Sequence, residues 1–174
     1  MALAVCLLFD APSDRRVREL WSRLEGEGVS TLATHTHRRH HPHLSYAVLR
    51  SWDQERVQEA LCSLPAADPF SVTAHGTLLF PRGRAALALS TAADVGARQV
   101  DVVTAAEATG AELHRHYRPG QWVPHVSVAT RVHGCHIPTV VRMIADILPL
   151  TIRVDRAALV DTGTGRTWSL PHLI

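Results

Sequence analysis

Pro42-His43-Leu44-Ser45-Tyr46-Ala47-Val48-Leu49 is echoed 82 positions later by Pro124-His125-Val126-Ser127-Val128-Ala129-Thr130-Arg131. The shared core is Pro-His-apolar-Ser-x-Ala, and five of the eight positions are identical or conservatively apolar. In both copies apolar residues alternate with small or polar ones, which is the period of a strand half-buried on a sheet. On a regular strand His43, Ser45 and Ala47 share one face, and Leu44, Tyr46 and Val48 share the other. His125, Ser127 and Ala129 repeat that arrangement, with Val126 and Val128 opposite. Each copy therefore offers an apolar side to a core and a small, polar side to a cleft. The alanine beyond the serine is expected to keep that cleft face open. Two copies facing each other would gather two imidazoles and two hydroxyls.

The flanking sequence supplies elements to hold them. Ala2 to Phe9 reads as a first buried strand, and Ser13 is placed to cap a helix carrying Val17, Leu20, Trp21 and Leu24 at helical spacing. Gly26 and Gly28 end it, and residues 30–41 read as a polar, His/Arg-rich loop before the first motif strand, His43 to Leu49. Ser51-Trp52-Asp53-Gln54 has the form of a capping box for a helix burying Val57, Leu61 and Leu64. Phe70 to Phe80 and Ala85 to Ser90 form a hairpin about Pro81-Arg82-Gly83-Arg84. Asp94 to about His114 predicts a long helix, and Trp122 to Thr130 the second motif strand. Pro138 opens a further helix, Thr151 to Asp161 is a strand, and Arg166 to Leu170 pairs back on it. The second half repeats the first: a motif strand, a helix, then a hairpin. The expectation is an α+β, bilobal, duplicated fold over residues 1–174, one domain, with two antiparallel sheets and outer helices flanking a central cleft.

Composition bounds the partners. With 174 residues, 46% of them hydrophobic, the chain is long enough for a single cored domain. A net charge of +2 is too weak to imply duplex DNA as partner. No apolar run approaches the roughly 20 residues that span a bilayer. Ala2 to Phe9 lacks a basic flank and meets Asp10 at once, so it is not read as a signal peptide, and the expected setting is a cytoplasmic monomer without membrane partners. Three widely spaced cysteines, Cys6, Cys62 and Cys135, do not form a disulfide framework. All 18 basic residues are arginines, whose forked guanidinium suits phosphate oxygens. The absence of lysine excludes ligation through a lysine–nucleotide adduct.

Histidine titrates near neutrality, so one imidazole can take a proton while its twin gives one. Phosphodiester cleavage needs both acts: a base for the attacking oxygen and an acid for the leaving oxygen. A serine hydroxyl beside each ring can donate to the non-bridging oxygens as charge builds. No metal and no cofactor is required.

At this point the chain resembles the 2H phosphoesterase superfamily, which includes 2′-5′ RNA ligase-like proteins and cyclic nucleotide phosphodiesterases. His43-Leu44-Ser45-Tyr46 and His125-Val126-Ser127-Val128 match its two His-x-Thr/Ser-x motifs. The resemblance extends to Leu8-Phe9-Asp10, to Phe80-Pro81 and to the Tyr117 to Pro124 lead into the second motif. It implies hydrolysis or reversible ligation at RNA ends or small nucleotides, on 2′,3′-cyclic phosphates or 2′-5′ linkages. It implies His43 and His125 as the acid-base pair and Ser45 and Ser127 as phosphate ligands. Tyr46, Arg131 and Tyr117 are further candidates for substrate binding: Arg131 shares the parity of His125 on a regular strand, and Tyr117 is placed to stack on a base. Many relatives carry arginine five residues after the second histidine, where this chain has Thr130. The alternative is a nucleotide- or RNA-binding relative without turnover. A metal site built from His35 and His37, or from His133, Cys135 and His136, is the weaker competitor, because neither run brings a carboxylate or a Cys-x-x-Cys pair.

Overall fold

The computed structural model describes residues 2–174. Strand β1 (Leu3–Phe9) is apolar on both faces and buried almost throughout. Asp10 ends it, and its carboxylate accepts from Ser13 N at 2.9 Å, capping helix α1 (Ala11–Gly26). The cap thus falls three residues before Ser13, because Pro12 is favourable in the first turn, where no amide donor is needed. Ser13 Oγ instead accepts from Arg153 N at 3.0 Å. Strand β2 (His43–Ser51) runs through Ser51, so the next helix, α2 (Gln54–Cys62), takes Asp53 as its cap and not Ser51. Asp53 Oδ1 accepts from the amides of Glu55 and Arg56 at 3.1 and 3.2 Å.

Strands β3 (Phe70–Phe80) and β4 (Arg84–Ser90) form the expected hairpin. Its turn fits only glycine at position 83: φ is 68°, and a Cβ there would meet the Val132 carbonyl at 2.5 Å. Helix α3 (Ala93–Ala108) is shorter than its sequence pattern suggests. Gly110 at φ 88° breaks it, and Glu112–Leu113 (β5) pairs with β2 before a single 3-10 turn at Arg115–Tyr117. Strand β6 (His125–Ala129), helix α4 (Ile137–Ala145), and strands β7 (Leu150–Asp161) and β8 (Thr167–Ser169) complete the chain.

The architecture is α+β, with one eight-stranded sheet where two were expected. Its order is β1-β2-β6-β4-β3-β7-β8, and β7 pairs with β1 as well as β3. Two features fuse the halves. Strands β2 and β6 lie antiparallel with Leu44 opposite Val126. Strand β7 is 12 residues long, enough for its first part to pair with β3 and its second with β1. Val154 is the pivot, opposite Phe70 on one side and Phe9 on the other.

The helices cover the outer face, where Leu3, Val5, Leu7, Leu44, Leu87 and Val126 are fully buried. Helix α1 packs behind β6, and α3 behind β2, so each motif strand is backed by a helix from outside its own half. The opposite face carries the small side chains Ala4, Cys6, Ala86, Ala88 and Ala158. Among the described residues no helix is long and apolar enough to cross a membrane.

Candidate active site

The motif strands are not regular. Along β1 and β2, Val5 faces Ala47 but Cys6 faces Ser45, so Tyr46 is an extra residue. Along β4 and β6, Ala85 faces Ala129 but Ala86 faces Ser127, so Val128 is extra. Each copy therefore carries a β-bulge at the residue after its serine. The bulge flips the parity, and Ala47 and Ala129 turn into the core at 0% and 1% exposure instead of lining the cleft. The room they were expected to leave comes from Cys6, Ala86 and Ala88 on neighbouring strands.

A bulge strands carbonyls that the ladder would have used, and side chains satisfy them. Trp122 Nε1 donates to Ser45 O at 3.0 Å, and Trp21 Nε1 donates to Ser127 O at 3.3 Å. One indole thus serves each serine carbonyl. Gln99, 2% exposed on α3, donates through Nε2 to Tyr46 O at 3.0 Å and to Tyr117 O at 2.8 Å. Both protons of its amide nitrogen are engaged, which fixes the bulge and the approach to the second motif together.

The two histidines are held alike. His43 Nδ1 donates to His41 O and His125 Nδ1 donates to Val123 O, each at 2.7 Å. A carbonyl can only accept, so Nδ1 carries the proton in both rings and Nε2 is the atom left for chemistry. The proline between each carbonyl and its histidine has a fixed φ and favours extended backbone in the residue before it, which sets that carbonyl in place. The register through Leu44 and Val126 carries His43 towards Ser127 and His125 towards Ser45. Burial lowers the pKa of both imidazoles, and a charge on His43 lowers that of His125 further, as does Arg84. In the free protein both rings are thus biased to the neutral form.

Ser45 is 7% exposed, with its Oγ 4.0 Å from Cys6 Sγ and against the Tyr117 hydroxyl. Burial pushes the Cys6 thiol and the Tyr117 phenol each up to about 12, so both stay protonated at neutral pH. Tyr117 thus belongs to the cleft floor. Tyr46 does not: it is 1% exposed, packed on Trp122, and its hydroxyl lies towards Asp94 and Arg98 on the side of α3. That corrects its assignment to substrate binding: one residue on from Ser45, Tyr46 points to the core side of the strand with Leu44. Arg131 lies beyond the end of β6, exposed, with its charge felt by His35. It does not keep the parity of His125, because the strand is bulged and stops at Ala129.

Two neighbours escaped the sequence reading. Arg84 opens β4 on the same face as Ala86 and Ala88, and its charge reaches His125, Tyr117, His114 and His35. The Phe80 ring packs on His125 with centroids 4.9 Å apart. The signal was present in the hairpin: an arginine leading a strand face of alanines marks an open floor with one cation at its edge. Among the described residues no group of three or more His, Cys, Asp or Glu side chains is gathered to hold a metal ion.

Comparison with known proteins bears on the family and the fold. A family model described as the 2′-5′ RNA ligase superfamily matches residues 9–166. No curated protein matches the sequence. Among solved structures, a Thermus thermophilus protein superposes with a TM-score of 0.63 at 17% identity, covering 98% of each chain. Kluyveromyces marxianus Usb1, solved also with uridine monophosphate, gives 0.56 at 14% identity over 98% of this chain and 97% of its own. A protein described as a phosphoesterase gives 0.59 at 17% identity, covering 96% and 92%. At these identities the likeness is one of fold.

Proposed function

The chain belongs to the 2′-5′ RNA ligase superfamily of 2H phosphoesterases, and on that premise we propose that it is a metal-independent phosphodiesterase acting on 2′,3′-cyclic phosphates or 2′-5′ linkages of nucleotides or RNA ends. The observation that carries this reading is the pair of identically pinned imidazoles on adjacent antiparallel strands. Ring opening needs one neutral Nε2 to take a proton from the attacking water as its oxygen bonds to phosphorus. The other imidazole, protonated, gives its Nε2 proton to the departing ribose oxygen as the P–O bond breaks. The product is a phosphomonoester with a free neighbouring hydroxyl, and the net proton count is unchanged. Substrate orientation decides which ring takes which role, since the two are held alike. The Ser45 and Ser127 hydroxyls and the Arg84 guanidinium are the donors for the non-bridging oxygens. The uridine monophosphate complex of Kluyveromyces marxianus Usb1 supports a nucleotide as ligand of this fold.

Phosphorus NMR of the protein with a 2′,3′-cyclic nucleotide, and separately with a 2′-5′ dinucleotide, in EDTA, tests the proposal. A monoester resonance is expected from at least one substrate. His43→Ala and His125→Ala should each lower turnover by about 10²–10⁴-fold while ligand still binds. Binding without turnover in the unmodified protein would establish a binding relative in place of an enzyme.

A further inference from the structure

At the loop end of β6 lies a hollow of about 170 Å³, lined by Ser30, Thr31, Thr34, His35, Thr36, Thr130 and Arg131. Its floor is built, not slack. The Thr31 and Thr34 hydroxyls turn back to Glu25 Oε1 at 2.6 and 2.8 Å, so they hold the wall and satisfy that carboxylate. Thr130 N donates to Ser30 O at 2.9 Å and ties the loop to the strand end. The loop above is pinned by His37, whose ring sits where a Cβ on Gly165 would fall, at 2.6 Å. Thr36 Oγ1 is paired with His40 Nε2 at 2.8 Å. The groups left facing a ligand are the Arg131 guanidinium, the Ser30 hydroxyl and the His35 ring.

Arg131 lines this hollow, whereas Arg84 lines a separate one beside Phe80 and Gly83. The ion pairs of the described residues are Arg18–Asp14, Arg23–Asp146 and Arg156–Asp155, so Arg131 has no carboxylate partner among them. An unpaired guanidinium beside hydroxyl groups suits a phosphate oxygen. Thr130 lies three residues beyond Ser127, so the chain holds the two within about 11 Å at full extension. One nucleoside between two phosphates, together with the reach of an arginine side chain, covers that span.

We propose that this hollow is a second phosphate subsite, which receives the phosphate one nucleoside away from the scissile one. Building on the function proposed above, this makes the preferred substrate a sugar-phosphate chain carrying at least two phosphates, in place of a cyclic mononucleotide. Arg131 grips the outer phosphate, and Ser30 and His35 donate to its oxygens.

The test is equilibrium titration with a nucleoside 3′-monophosphate and the corresponding nucleoside 3′,5′-bisphosphate. This measures the subsite without turnover, so it stands apart from the cleavage assay. The bisphosphate should bind about tenfold more tightly, the worth of one charge-assisted phosphate contact. Arg131→Gln should erase that ratio and leave the monophosphate affinity within about twofold, whereas Arg82→Gln, which removes an equal charge from the neighbouring turn, should retain it. Equal affinities in the unmodified protein, no binding of either probe, or a ratio that survives Arg131→Gln overturns the subsite. Turnover of cyclic phosphate alongside any of these would leave the catalytic reading standing alone.

Discussion

A single proton on the histidine pair is the working state of a two-histidine phosphodiesterase, and the surroundings of His43 and His125 set where that state is populated. Burial lowers both pKa values, and the first proton, on either ring, opposes the second. The form with one neutral and one charged imidazole therefore peaks below the ordinary histidine value of about 6.5. The kcat/KM for a cyclic nucleotide should rise as pH falls from about 8, pass a maximum under about 6.5, and fall once both rings are charged. A maximum on the alkaline side of neutrality would contradict the assigned environments. His40 offers a second measurement. Burial first, then His37, His43, His35 and His41, push it down to about 4. Its folded pKa lies below its unfolded one, so its contribution to stability is whole above about 6.5 and is lost as pH falls through about 4. Urea midpoints should drop on acidification, and drop less in His40→Gln. An equal drop would move the acid lability to the other histidines. The two His-x-Ser motifs were legible because the same letters recur in both copies. Arg84 was not, because its place depends on which strand β4 pairs with.

At the scale of elements, the sequence announced which segments are strands and which faces of helices are apolar, and the outer-face burial of Val17, Leu20, Trp21 and Leu24 follows that pattern. It did not announce the bulges. A bulge is a property of two strands in register, and neither the Tyr46 nor the Val128 neighbourhood carries a glycine that would mark one. Nor did it settle the caps. Ser51 and Asp53 both suit an N-cap, and the choice was made by β2, which uses Ser51 to pair with Glu112. Asp53→Ala should therefore cost about 1 kcal/mol, whereas Ser51→Ala should stay within about 0.5 kcal/mol. Chemical denaturation of the two variants compares them directly, and the reverse order would return the cap to Ser51. The shortened α3 has the same kind of origin. Its apolar stripe continues to Leu113, but Leu113 is buried by pairing opposite Leu49 on β2 and not by a further helical turn.

For the whole molecule, duplication was visible in the sequence and closure was not. Two lobes with separate sheets would each own a core, and one could unfold while the other stood. The observed sheet denies them that independence. Strand β7 pairs with both halves through Val154, β2 meets β6 at the centre, and α1 and α3 cover each other's motif strands. Removing either half exposes the apolar face of the other, so the free energy of folding is shared across the cleft. Trp21 and Trp122 report on opposite motifs, through Ser127 and Ser45 respectively. Urea unfolding followed by tryptophan fluorescence in Trp21→Phe and in Trp122→Phe, each in a background carrying Trp52→Phe and Trp168→Phe so that one reporter remains, and by far-ultraviolet circular dichroism, should give one midpoint for all probes within each variant, with activity lost at that same midpoint. Separate midpoints would mean that each half carries its own core, and the cleft could then open by local unfolding. A single midpoint ties the two imidazoles to one cooperative unit, so that their spacing is fixed wherever the fold exists at all.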